Sequence, residues 1–223
     1  MKKLIIFSTT LLLTIQMAFC QMGALKGSGK IITKTFTYQD FNKIQLNDLD
    51  GRVEVEVGKP YSIKISIDDN LEPLLTVSEN NKTLTVALNK NENNKRYVEN
   101  TNIKITISVP AINGVVHNGN SDAFITGLKN NNFSAKSTGN GNLILTGTAD
   151  NIEIEKAGNG NVEAAKLLVN NANVVSIGNG DVKVNASETF SANGTGNGDI
   201  INKGSAKPSA NSKQKGNGEI INN

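Results

Sequence analysis

At 223 residues the chain is long enough for one ordinary domain or two small ones. Only 37% of its residues are hydrophobic and 4% aromatic, with 21 glycines and no tryptophan, which excludes a large aromatic-rich core. Its 23 basic and 20 acidic residues give +3; removing Lys2 and Lys3 with an export signal leaves 21 against 20, or +1, which excludes the basic patch that nucleic acid requires.

Residues 1–20 read as a secretory signal peptide, with Lys2 and Lys3 as its charged start and Leu4–Phe19 as its apolar run. Ala18 and Cys20 stand at the small-residue positions before a cut that leaves Gln21 first. The run is short for a membrane span, so the mature chain is expected to carry no transmembrane segment. Cys20 is the only cysteine, and the bulky Phe19 before it speaks against a lipid anchor there. An exported protein is predicted, periplasmic, at the cell surface or secreted, with no thiol chemistry.

Residues 21–35, rich in Gly and Ser over 22–30, predict a flexible N-terminal segment. From residue 36 apolar and polar side chains alternate, as in Val53-Glu54-Val55-Glu56-Val57 and Ile103-Lys104-Ile105-Thr106-Ile107, the pattern of half-buried strands. No 3.6-residue period appears after the signal. Apolar pairs return about every 20 residues, at 44/46, 63/65, 84/86, 103/105, 123/125, 143/145, 162/164 and 182/184. Residues 36–112 are therefore expected to form N-terminal β-strand coils, with the Asn-rich stretch 89–102 as a surface loop.

Residues 113–223 add punctuation to the same period. Gly139-Asn140-Gly141, Gly158-Asn159-Gly160, Gly178-Asn179-Gly180, Gly196-Asn197-Gly198 and Gly216-Asn217-Gly218 follow one another at 19, 20, 18 and 20 residues, with a degenerate Gly119-Asn120-Ser121 ahead of them. A period near 20 with short strands points to an all-β solenoid of 18–20 residues per coil. Eight or nine coils at about 4.8 Å each predict a rod roughly 40 Å long, too narrow inside for large aromatics. The triplet is read as a corner cut at the same place in every coil. Glycine reaches positive φ freely and Asn tolerates it, and the stacked Asn amides can bond one another. Asn-Gly is also a hairpin signal, so an antiparallel meander is the alternative fold. The stretch 196–215, with Lys203, Lys207, Lys213, Lys215 and Pro208, reads as a C-terminal cap that blunts the open strand edge.

Chemistry-bearing residues are few. His117 is the only histidine, without a cysteine or second histidine to share a zinc ion, and reads as a turn or surface residue. The pairs Glu54/Glu56 and Glu153/Glu155 alternate with Val and Ile, so they read as outward, solvated carboxylates rather than a glycosidase pair. No catalytic residue and no cofactor is predicted. The residue after each corner makes a column, Asp122, Asn142, Asn161, Asp181, Asp199 and Glu219. Like charges at one-coil spacing repel by roughly 1 kcal/mol per pair even in water, which a bound cation would relieve. Asp181, Asp199 and Glu219 are thus calcium candidates, against the plainer reading that Asp and Asn cap backbone N–H groups at the turn.

The corners, together with Ile105–Asn113 ("ITISVPAIN") and Asn118–Ala123 ("NGNSDA"), resemble the auto-transporter adhesin head, or GIN domain, family of exported bacterial proteins, over about residues 36–221. The resemblance implies a right-handed β-helix-like domain with an adhesive role and brings no catalytic residues. The function expected is a non-enzymatic binding or structural scaffold at the cell envelope, whose partner is an envelope protein or a glycan, with self-association of rods as a further option. A calcium-stabilised structural solenoid is the first alternative and a β-helical polysaccharide-acting enzyme the second.

Overall fold

The computed structural model describes residues 25–89, 98–99 and 101–222; the signal segment 1–20 and most of the Asn-rich stretch 90–97 lie outside them. Ten short strands come first: β1 (Leu25–Lys26), β2 (Ile31–Phe36), β3 (Lys43–Leu49), β4 (Arg52–Val57), β5 (Ser62–Asp68), β6 (Leu75–Asn80), β7 (Thr83–Leu88), β8 (Val98–Glu99), β9 (Lys104–Val109) and β10 (Gly114–Gly119). Four long ones follow, β11 (Asp122–Gly139), β12 (Leu143–Gly158), β13 (Val162–Gly178) and β14 (Val182–Gly196). The chain then closes with β15 (Ile200–Asn202), β16 (Lys213–Lys215) and β17 (Ile220–Asn222). No α-helix occurs among the described residues, and the fold is a β-solenoid of about five turns.

Each long strand bends through most of one coil. The first part of β11 pairs in parallel with β4 and its last part with β10, and β12 lies against both parts. Two flanks result. One stacks β9, β4, the starts of β11 to β14, β15 and β17; the other stacks β7, β3, β10, the ends of β11 to β14, and β16. The Gly-Asn-Gly corner carries the chain from the second flank to the first.

Period-2 alternation puts one side of each flank into a single core. Val53, Ala123, Leu143, Val162, Val182 and Ile200 stand in register, each 0% exposed, and face the column of Ile44, Val115, Ala135, Ile154, Val174 and Ala192. The core takes large aromatics after all: Phe41, Phe133 and Phe190 are buried. Phe133 and Phe190 belong to a column in which Ile152 and Ala172 lie between them, so a small residue leaves room for a ring.

The N-terminal part differs from a run of coils. Successive coils run the same way and must pair in parallel, yet β2 with β5, β5 with β9, and β6 with β7 are antiparallel. These strands close the end of the stack. About five turns replace the expected eight or nine, a height of roughly 24 Å at about 4.8 Å per coil. The turn between β6 and β7 is made by Asn81 and Lys82 at φ 49° and 59°, the two positive φ values of a tight hairpin. Residues 21–35, expected to be flexible, include β1 paired with β8 and β2 paired with β5. Buried Asp68 holds that segment in place, accepting the Gly29 N–H at 2.8 Å and the Asn102 N–H at 2.8 Å.

At the corner every coil is locked to the one before. Asn159 N and Gly160 N both donate to Gly139 O, at 2.9 and 3.1 Å, and Asn179 N and Gly180 N to Gly158 O, at 3.1 and 3.4 Å. The two glycines serve different ends. Gly158 has φ +125°, closed to L side chains, and a Cβ there would lie 2.3 Å from Gly139 O. Gly160 has no such φ, but a Cβ would lie 2.1 Å from Gly141 O. The Asn between them is not in the left-handed region, since the positive-φ residues other than Gly are Asp40, Asp48, Asn81 and Lys82. Its side chain is what the corner uses.

Gly158→Ala is therefore expected to remove about 3–5 kcal/mol of stability, combining backbone strain with a steric clash. Asn159→Ala, which deletes exposed amide bonds only, is expected to remove about 1 kcal/mol. Urea unfolding of the two variants checks both the sizes and their order.

Candidate functional site

Four polar columns run along the solenoid, one beneath the corner, one just past it, one at the corner itself and one on the far side of the second flank. The first is internal. His117 on β10 is not on the surface but fully buried, with Nδ1 3.3 Å from Ser137 Oγ and Nε2 3.1 Å from Ser121 Oγ. Register continues the column to Ser137, Lys156 and Ser176. Lys156 Nζ donates to Gly158 O at 2.9 Å and Gly180 O at 2.5 Å, so its ammonium is spent on corner carbonyls of two coils. Burial holds the pKa of His117 below the usual histidine value, against the opposing pull of Ser121 and Asp122, and holds that of Lys156 below the usual lysine value, against Asp181.

The column past the corner is a chain of caps. Asp122 Oδ1 accepts Asn142 N at 3.0 Å, Asn142 Oδ1 accepts Asn161 N at 3.0 Å, and Asn161 Oδ1 accepts Asp181 N at 2.8 Å. Asp181 Oδ1 then accepts Asp199 N at 2.9 Å, and Asp199 Oδ1 accepts Glu219 N at 2.8 Å. One oxygen of each calcium candidate but Glu219 is thus committed to backbone. Lys156 and Lys183 supply positive charge near Asp181, and Lys183 also pairs with Glu163 at 2.8 Å. Calcium asks for six to eight oxygens. Among the described residues no three His, Cys, Asp or Glu side chains gather to hold a metal ion.

The corner asparagines form an exposed ladder. Asn140 Nδ2 donates to Asn120 Oδ1 at 2.9 Å, and the same bond joins Asn159 to Asn140, Asn179 to Asn159, Asn197 to Asn179 and Asn217 to Asn197, at 2.7–3.0 Å.

The fourth column was missed in the sequence. Asn151 Nδ2 donates to Asn132 Oδ1 at 2.9 Å, Asn171 Nδ2 to Asn151 Oδ1 at 2.9 Å, and Thr189 Oγ1 to Asn171 Oδ1 at 2.6 Å. These residues stand directly before the apolar pairs 133/135, 152/154 and 172/174, so their period was there to be read. Along this ridge runs a groove of about 590 Å³, its other wall the outward column Ser134, Glu153, Asn173 and Ser191, with Lys43 and Asn113 toward the N-terminal end. Thr148, Asp150, Asn170 and Asn185 help line a second groove, of about 680 Å³. On the flank that carries the first, Val175 and Ile177 are 38% and 53% exposed.

Fold and columns together define a short β-solenoid whose coils are tied by backbone along both flanks and at the corner, and by side-chain ladders at the corner and beside the groove. The chain belongs to the family described as "Putative auto-transporter adhesin, head GIN domain", whose model matches residues 40–206. It is similar to a solved "putative adhesin" from Bacteroides fragilis, at 29% identity and a TM-score of 0.69, over 90% of this chain and 100% of that one. A "putative adhesin" from Parabacteroides merdae shares the fold at 21% identity and a TM-score of 0.54, over 90% and 99%. So does a "putative lipid binding protein" from Parabacteroides distasonis, at 20% and 0.58, over 90% and 100%. No curated protein matches the chain. No helix among the described residues is long and apolar enough to cross a membrane.

Two outcomes are expected. Because folding lowers the pKa of His117, the unfolded chain takes up its proton first as pH falls below about 6.5. The contribution of neutral His117 is complete above that value and shrinks as pH drops, so melting between pH 7.5 and 5.5 should fall more for the native sequence than for His117→Asn. Calcium at millimolar concentration is expected to leave the melting midpoint where EDTA leaves it; a rise would show that the native state binds the ion.

Proposed function

We propose that this chain is an exported, non-enzymatic adhesin-like scaffold of the cell envelope, and that it binds an extended ligand lengthwise in the groove beside the Asn132–Asn151–Asn171–Thr189 ridge. Family membership and the similarity to the Bacteroides fragilis protein support the adhesin-like role. The observation that carries the binding mode is the groove's direction: it crosses stacked strands from Lys43 to Ser191. The central strands beneath it, β12 and β13, are already paired on both sides there, so the middle of the groove offers side chains and no free backbone edge, unlike a site for strand addition.

Between a glycan and a protein partner, the spacing favours the glycan. Hydrogen-bonding groups recur once per coil, about every 4.8 Å, whereas an extended peptide repeats at about 3.3 Å and drifts out of step. A hexose with its bridging oxygen is close to one coil in length. Amides and hydroxyls on both walls suit a neutral chain of hydroxyl groups, and Glu153 in the wall disfavours a polyanion. The lone histidine, buried between two serines, and the outward Glu153 and Glu155 support a binder over an enzyme.

Titration calorimetry with linear neutral hexasaccharides tests this reading. Asn173→Trp, which fills the groove, is expected to weaken binding at least about tenfold, or 1.4 kcal/mol. Ser108→Trp, on the other flank, is expected to leave it unchanged. Equal binding by both variants would move the ligand off the groove, and no binding to any glycan would point to a protein partner.

A further inference from the structure

The ladder corners contain an unusual density of one reactive dipeptide: Asn140-Gly141, Asn159-Gly160, Asn179-Gly180, Asn197-Gly198 and Asn217-Gly218. In an Asn-Gly pair the glycine nitrogen, meeting no side chain of its own, can attack the Asn Cγ. A bond forms between that nitrogen and Cγ, the side-chain nitrogen leaves as ammonia with the proton given up by the glycine N–H, and a succinimide ring remains. Water then opens the ring at either carbonyl, giving aspartate or isoaspartate. The reaction needs a free glycine N–H and an Asn side chain able to swing over the backbone.

The fold withholds both at the interior corners. Gly141, Gly160 and Gly198 donate their N–H groups to the corner carbonyl one coil earlier at 3.0–3.1 Å, and Gly180 does so at 3.4 Å. Asn140, Asn159, Asn179 and Asn197 are each held twice, donating to the Asn before and accepting from the Asn after. The other three Asn-Gly pairs, at 113–114, 118–119 and 193–194, have their glycines inside strands β10 and β14, paired on both sides. Asn217 is the exception among the corners. Its glycine is held as the others are, Gly218 N–H donating to Gly196 O at 3.1 Å, and Asn217 itself donates to Asn197 at 3.0 Å, but among the described residues no amide donates to Asn217 and no described coil stacks on its own, so this corner is held from one side only.

We propose that Asn217-Gly218 is a deamidation site of the folded protein, while the four interior corners are protected by the stack that they build. Conversion has a structural consequence. Aspartate at 217 loses the N–H that reaches Asn197 Oδ1 and places a carboxylate against that oxygen, two residues from Glu219. Isoaspartate adds a methylene to the main chain just ahead of β17, pushing Ile220, Ile221 and Asn222 out of register with Ile200, Ile201 and Asn202. Deamidation therefore loosens the end coil and bares the edge of β15.

Peptide mapping by mass spectrometry decides it, following the native protein and the protein in concentrated urea side by side in mildly alkaline buffer. In urea all five corners should convert at comparable rates. In the native protein Asn217 should convert within about tenfold of its urea rate, because terminal elements open at little free-energy cost, and the interior four slower by on the order of a hundredfold or more. The Asn217→Asp variant should show faster hydrogen exchange over 220–222 with the interior coils unchanged. Interior corners reacting as fast as Asn217 in the native protein, or Asn217 as protected as they are, would overturn the proposal.

Discussion

One carbonyl per coil governs this molecule. Gly119 O, Gly139 O, Gly158 O and Gly178 O each accept two N–H groups from the corner of the coil that follows. At these corners the two turns come so close that a Cβ on either glycine of the following one would lie 2.0–2.4 Å from a backbone oxygen of the corner before. At the first corner Leu49 O plays the same part, accepting Asn120 N and Ser121 N at 3.3 and 3.0 Å. There the third corner position is still a serine, whose hydroxyl turns inward to His117. The triplet repeats because each corner is the mould for the next. The rest of the coil varies between 18 and 20 residues without consequence, because the register shifts that absorb the difference fall along the bends, away from the corner.

Much of this could be read from the residues, and the failures have specific causes. The 18–20-residue period of the triplets pointed to stacked coils because only a stack needs the same turn at the same place. Residues 36–112 have the same alternation of apolar and polar side chains, but a period of two is common to parallel and antiparallel strands. Ile63-Lys64-Ile65 looks like a coil strand and is in fact antiparallel to β9. The hairpin at Asn81-Lys82 has its two positive φ values without a glycine, so nothing at that point announced a reversal. His117 was misplaced because a polar residue beside a turn is usually outside, and what buries it, Ser137 a full coil away, is invisible to any local window. The Asn132 ridge was overlooked for the opposite reason: its asparagines lack flanking glycines and so resemble ordinary loop residues.

The polar columns share one device, a side chain that bonds across the coil boundary in the direction of stacking. In the column past the corner the acceptor is a side chain and the donor is backbone; in the two Asn ladders both are side chains. Each bond is worth little alone, about 1 kcal/mol. Repeated at every coil they select one register out of the many that alternating apolar residues would tolerate, which is the weakness of strands without marked features. Lys156 shows how far this is taken inside the core, where an ammonium group is accommodated because two corner carbonyls of successive coils converge on it. Satisfying a buried charge in this way requires the corners to be in place already, so the internal column depends on the glycines more than it supports them.

Once the backbone is closed upon itself in this way, recognition is left to outward side chains. These sit on a ruler with about 4.8 Å divisions. Changing one outward residue leaves its inward neighbours untouched, since they point to opposite sides of the strand. A surface of that kind can vary its chemistry from coil to coil while the corner stays constant, and Ser134, Glu153, Asn173 and Ser191, three residue types at one position of the repeat, show such variation. Contacts of this size are individually weak, and their sum rises only if the ligand keeps step with the ruler over several coils. For the lengthwise ligand proposed above, the number of turns sets how much of it can be held in register, so the antiparallel strands that end the stack at β2, β5 and β6 would also limit the length bound.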